Sequence, residues 1–172
     1  MTENLPPILV LMGTSGTGKS TVGAMLAGRL GWAFQEGDDL HPAANVAKMA
    51  AGHALNDEDR WPWLDTVAAW IDARRAADEP GIVTCSALKR AYRDILRRPN
   101  VVFVHFDGTR DVVLNRMMRR QGHFMPPALL DSQFATLEPP GEDENVLRVD
   151  LDSTPEEQAA FISSRLRLVA ST

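Results

Sequence analysis

The chain has 172 residues, 44% hydrophobic and 24% charged, a globular composition that argues against disorder and suits one domain spanning 1–172. Its 18 Lys and Arg against 23 Asp and Glu leave a net charge of −5, so a general nucleic-acid-binding surface is not expected. One cysteine, Cys85, excludes an intrachain disulfide and a cysteine-based zinc site, and no apolar run approaches the roughly 18 residues of a membrane span.

Residues 1–7 lack a basic segment followed by an apolar core, so no secretory leader is expected and the compartment expected is the reducing cytoplasm. Ile8–Met12 is a short run of strand formers ended by Gly13, as in a parallel strand buried on both faces. After a Gly-rich turn, Val22, Met25, Leu26 and Leu30 share one helical face, and Gly31 stops that helix. Trp32–Glu36 reads as a second strand. Asp57–Arg60 reads as the lead-in to a helix from about Pro62 to Ala77, with the proline in its first turn. Ile82–Cys85 and Val101–Phe106 are the next strands, separated by a helix over Lys89–Arg97 that ends before Pro99. Asp111–Arg119 is expected helical, residues 121–127 break the pattern, and Val146–Val149 is a fifth strand. Thr154-Pro155-Glu156-Glu157 carries the signals of a helix start. The helix that follows is expected to turn Phe161, Ile162, Leu166 and Val169 inward. Strands alternating with helices imply an α/β parallel sheet covered on both faces.

Gly13-Thr-Ser-Gly-Thr-Gly18-Lys19-Ser20 has the spacing G-x-x-x-x-G-K-[ST] of a phosphate-binding loop, set between a strand and a helix as the motif requires. Its glycines permit a tight loop whose backbone N–H groups, from Gly13, Thr14, Ser15, Gly16, Thr17 and Gly18 on to Thr21, converge on phosphate oxygens. The helix N-terminus adds partial positive charge. Lys19 can reach the β- and γ-phosphates and the Ser20 hydroxyl can ligate magnesium, so ATP and Mg2+ are the expected cofactors. The chain lacks the Asn-Lys-x-Asp guanine reader of GTPases and is short for a mechanochemical ATPase. Its length fits a compact kinase for a small acceptor, which needs a carboxylate opposite the loop and arginines that close over the phosphates. Nine Lys and Arg between Lys89 and Arg120 face only three aspartates, enough for a few to converge on an anion.

Further strings follow: Gly37-Asp38-Asp39-Leu40-His41-Pro42; Leu55-Asn56-Asp57-x-Asp59-Arg60-x-Pro62-Trp63-Leu64; Cys85-Ser86-Ala87-Leu88-Lys89; Gly122-His123-Phe124; and Gln133-Phe134-x-Thr136-Leu137-Glu138. In this order they closely resemble the gluconokinase family, relatives of shikimate kinase, from about Leu9 to Pro155. The resemblance implies a three-layer P-loop nucleoside-triphosphate hydrolase fold with five parallel strands, a mobile lid over about 116–135, and a homodimer. It implies transfer of the γ-phosphate of ATP to the 6-hydroxyl of D-gluconate, with magnesium.

By that resemblance Asp38 orients or deprotonates the acceptor hydroxyl; the alternative is a cap for the segment after Pro42. Ser20 holds magnesium with the ATP phosphates, with Glu36 or Asp38 acting through water. Arg60 resembles the arginine that grips the acceptor carboxylate; the alternative is a surface salt bridge with Asp57 or Asp59. His41, Lys48, Ser86, Ala87, Lys89, His123 and Gln133 are the other acceptor candidates. Structural or solvated roles stand beside this one for His41, Lys48 and Lys89. Arg116 and Arg120, one helical turn apart, are placed by the resemblance at the adenine or phosphates and over the transferring phosphate. Arg119 is expected in solvent, and Asp152-Ser-Thr154-Pro155 resembles the adenine-side loop. With Lys19, Asp38 and Arg120 the catalytic set is complete. The rivals are the same chemistry on shikimate or another sugar acid, and a nucleotide-binding switch without turnover.

Overall fold

A computed structural model describes residues 5–119 and 127–171. Strands β1 (Ile8–Met12), β2 (Ala33–Glu36), β3 (Gly81–Thr84), β4 (Val101–Asp107) and β5 (Leu147–Asp150) form one parallel sheet in the order β2-β3-β1-β4-β5. Between and after them run α1 (Lys19–Leu30), α2 (Ala43–Ala50), α3 (Asp57–Ala76), α4 (Arg90–Leu96), α5 (Arg110–Arg119), α6 (Pro127–Thr136) and α7 (Pro155–Leu166).

The central strand explains the layering. Leu9 and Leu11 pack in one apolar cluster with Val22 and Leu26 of α1 and Ile162 of α7. Ile8, Val10 and Met12 pack in a second cluster with Trp63, Leu64 and Val67 of α3 and Leu96 of α4. The period of two sends alternate β1 side chains to opposite faces, and all five are 0% exposed. Burial of each contributes about 1.5–3 kcal/mol, so the phosphate loop hangs from the most deeply buried strand.

The register brings Leu11 level with Thr84 and Met12 level with His105. The C-terminal ends of β1, β3 and β4 therefore open on the same crevice, where ligands bind in parallel sheets. Two bonds tie the C-terminal end of β1 and the loop after it to the loop after β3: Gly13 N–H donates to Ser86 O at 3.2 Å and Cys85 N–H donates to Leu11 O at 3.0 Å.

Three expectations need correction. α3 begins at Asp57, five residues before Pro62, because Asn56 and Asp59 form a capping box and Asp57, Glu58 and Asp59 place negative charge at the positive end of the helix. Pro62 lies in the second turn, where it supplies no N–H. α7 starts as expected, with the Thr154 hydroxyl accepting from Glu157 N–H at 3.1 Å, but it ends at Leu166 with Arg167 in the left-handed conformation. Val169 therefore lies beyond the helix at 76% exposure, and Phe161 is 39% exposed beneath the Arg165 guanidinium rather than in the core.

Candidate active site

In the phosphate loop, Gly18 caps α1 with φ 87°, a left-handed conformation that disfavours any side chain. The Thr17 hydroxyl donates to Thr14 O at 3.0 Å, and Lys19 Nζ turns back to the same oxygen at 3.2 Å. Ser15 N–H donates to Gln133 Oε1 at 2.7 Å and Gln133 Nε2 donates to Ser15 Oγ at 3.1 Å, so α6 rests on the loop. Burial pulls the Lys19 pKa down, and the Asp38 and Glu36 carboxylates act against that pull.

Oxygen donors gather beside Lys19. The hydroxyls of Ser20 and Thr84 both donate to Glu36 Oε2, at 2.9 and 2.8 Å. Gly37 N–H donates to Thr84 Oγ1 at 3.1 Å. A Cβ at Gly37 would lie 1.9 Å from Thr84 O, so only glycine lets the chain turn here from β2 to Asp38. Hydroxyl and carboxylate oxygens are a hard donor set suited to magnesium shared with phosphate oxygens. Among the described residues no group of three or more His, Cys, Asp and Glu could hold a metal unaided.

Five of the acceptor candidates, Asp38, His41, Arg60, Ser86 and Gln133, meet in one cleft, and Lys48, Ala87 and Lys89 do not line it. Ser15, Lys19, Asp38, His41, Arg60, Ser86 and Gln133 line it, with Met49, Ala54, Leu55, Trp63, Leu88, Leu129 and Ser132. Its empty volume is about 600 Å³, much of it open to solvent. The Asp38 side chain is 78% exposed. Asp38 does not cap α2, whose N-cap is Pro42 without a side-chain bond. The His41 ring stacks on Trp63 at 4.1 Å, and its Nδ1 lies 3.2 Å from Asn45 Nδ2. Burial pushes the His41 pKa down, which keeps the ring neutral at neutral pH. Trp63 Nε1 donates to Gly37 O at 2.8 Å, which fixes the turn that carries Asp38.

Arg60 is buried at 8% exposure, and its Nη1 donates to the Tyr92 hydroxyl at 3.0 Å. Neither aspartate named as its alternative partner pairs with it among the described residues. Asp57 binds Lys89 and accepts from Tyr92; Asp59 binds Lys48 at 2.6 Å. The Tyr92 hydroxyl and then Lys89 hold the Asp57 carboxyl below its ordinary range, and Lys48 does the same for Asp59. Lys48 and Lys89 are thus engaged by carboxylates and are not among the residues lining the cleft.

Ala87, buried beside Ser86, takes φ 44°. Arg93 Nη1 donates to Ala87 O at 3.0 Å and Leu88 O at 3.2 Å, so it braces the loop after β3. On the nucleotide side, Arg116 Nη1 donates to Leu151 O at 3.0 Å, and Arg116 Nη2 would lie 3.4 Å from a Cβ at Gly18. Arg116 therefore spans from the phosphate loop to the loop after β5 that leads to Thr154 and Pro155. Arg119 is exposed. Arg120 and His123 lie outside the described residues. The sequence assigns no chemistry to Thr84, Trp63 or Tyr92, whose roles depend on partners 26 to 48 positions away. The nearest signal is their place within or beside the quoted strings.

The shikimate kinase family model matches residues 15–133. The chain is 52% identical over 153 residues to a gluconokinase of Gluconobacter oxydans (strain 621H), covering 88% of this chain and 86% of that one. A solved sugar kinase from Janibacter sp. HTCC2649 superposes with a TM-score of 0.90 at 45% identity over 97% of this chain and 99% of that one. A gluconokinase from Sinorhizobium meliloti 1021 superposes with a TM-score of 0.82 at 42% identity, covering 96% and 98%.

Proposed function

The chain belongs to the gluconokinase family, within the shikimate kinase group, and from that premise we propose that it phosphorylates D-gluconate at the 6-hydroxyl, converting ATP to ADP. The observation that carries this reading is the single cleft in which Lys19, Asp38, Arg60 and Ser86 face one another.

Bound magnesium-ATP supplies the γ-phosphoryl group and cationic charge on its oxygens. The chain supplies positioning and electrostatics, which are most of what phosphoryl transfer needs. Lys19 leaves Thr14 O for phosphate oxygens and offsets the charge on the transferring group. Ser20, with Glu36 beside it, would hold the magnesium that accompanies ATP. Asp38 accepts a hydrogen bond from the 6-hydroxyl, aligns it and takes its proton as the new ester bond forms. Arg60 binds the acceptor carboxylate by paired hydrogen bonds. Ser86, His41 and Gln133 address the polyol. Segment 116–135 serves as the lid that excludes water and prevents wasteful ATP hydrolysis. The resting contact between Gln133 and Ser15 supports that role.

The proposal extends to one kinase domain, a homodimer and a cytoplasmic enzyme. The family resemblance supports the dimer, and the use of ATP supports the compartment. The test is ADP release with magnesium-ATP in the presence of D-gluconate, shikimate or no acceptor. Gluconate alone should stimulate it; equal rates with all three would refute the reading.

A further inference from the structure

Two aspartates closely precede Arg60 in sequence, yet its guanidinium touches neither. Asp59 is held by Lys48 and by Asn56 N–H at 2.9 Å. Asp57 is held by Lys89, with Nζ at 3.0 and 3.2 Å from its two oxygens. Between Asp57 and Arg60 stands one neutral group, the hydroxyl of Tyr92. It donates to Asp57 Oδ1 and accepts from Arg60 Nη1. The phenol is 1% exposed, and Trp61 packs edge-on against its ring at 5.5 Å.

This order of groups has an electrostatic consequence. A carboxylate in direct contact would neutralise Arg60 and compete with any anionic ligand. A hydroxyl holds the guanidinium by one of its five N–H groups, fixes a long side chain that otherwise samples many rotamers, and leaves the positive charge uncompensated. Lys89 neutralises Asp57, which keeps that carboxylate from drawing Arg60 away.

We infer that Tyr92 is a positioning residue, anchored by Asp57 and Lys89, that holds Arg60 apart from both carboxylates and aimed for the acceptor carboxylate and so makes the cleft prefer sugar acids to neutral polyols. The inference rests on the function proposed above, since it assigns Arg60 to that carboxylate.

The test is steady-state kinetics of Tyr92→Phe, which removes one oxygen. The KM for D-gluconate should rise about tenfold, as for loss of a hydrogen bond to a charged group, while kcat and the KM for ATP stay within about twofold. In an Arg60→Gln background the same substitution should change the gluconate KM less than about twofold, because the group it positions is gone. Asp57→Asn, at a side chain 37% exposed, gives a second reading in a site that tolerates substitution and should raise the gluconate KM about threefold. An unchanged gluconate KM in Tyr92→Phe, or an equal rise in the Arg60→Gln background, overturns the inference while the activity stands. A wild-type protein without gluconate-stimulated ADP release overturns the activity and this inference together.

Discussion

Glu144→Gln is a stringent test of how the acceptor loop is held. Glu144 sits in the short turn before β5, and its side chain is 1% exposed. Its two oxygens accept from Arg93 Nε at 2.7 Å and Nη2 at 3.0 Å, from Arg97 Nη2 at 3.0 Å and from Gly141 N–H at 2.8 Å. These bonds, Arg93 first, hold its pKa down at about 2 against an ordinary 4.5. At 1.36 kcal/mol per pKa unit that difference corresponds to about 3 kcal/mol. The same figure follows from geometry, because removing one partner of a buried ion pair costs about 3–5 kcal/mol. Glu144 has its pKa depressed in the folded protein, so its contribution is complete above pH 4.5 and is lost as pH falls from 4.5 toward 2. Urea unfolding at pH 7 should show Glu144→Gln less stable by about 3 kcal/mol, with the gap to wild type closing as pH falls through that window. A gap below about 1 kcal/mol at pH 7, or one independent of pH down to 2.5, would refute the reasoning. Because Arg93 also braces Ala87 and Leu88, the variant should bind gluconate less tightly while keeping its affinity for ATP.

Other perturbations read other parts of the site. Asp38→Asn should lower kcat by about 10²–10⁴ with the ATP dissociation constant within about twofold, measured by calorimetric titration beside turnover. Gly37→Ala forces a Cβ against Thr84 O and should cost about 3 kcal/mol or more, seen as a fall in Tm of roughly 6–12 °C by calorimetry. Thr154→Ala removes the acceptor for Glu157 N–H and should cost about 1 kcal/mol in denaturant titration.

The readable parts of this chain are those decided locally. β1 shows as an unbroken apolar run because both its faces are covered, and the phosphate loop shows because its chemistry needs consecutive residues. Gly31 and Thr154 mark helix ends through backbone geometry and a capping hydroxyl, which are also local. The start of α3 is ambiguous because two valid signals compete: Pro62 suits a first turn, but the Asn56–Asp59 box lies upstream of it and governs. Val169 continues the apolar spacing of α7 on paper, whereas the left-handed Arg167 has already ended the helix. In the site, residue types announce charge but not pairing. Lys48, Lys89 and Arg60 look alike as cations for an anionic ligand. Tertiary packing gives the first two to Asp59 and Asp57 and leaves Arg60 in the cleft. Thr84 and Tyr92 act through hydroxyls whose partners lie on other elements, so spacing cannot reveal them.

The most direct test is product analysis by phosphorus and proton NMR after incubation of the enzyme with magnesium-ATP and D-gluconate. The account predicts ADP and a phosphate monoester in equal amounts, with the ester phosphorus coupled to the two protons on C6. ADP accompanied only by inorganic phosphate, or an ester on another carbon, would contradict it.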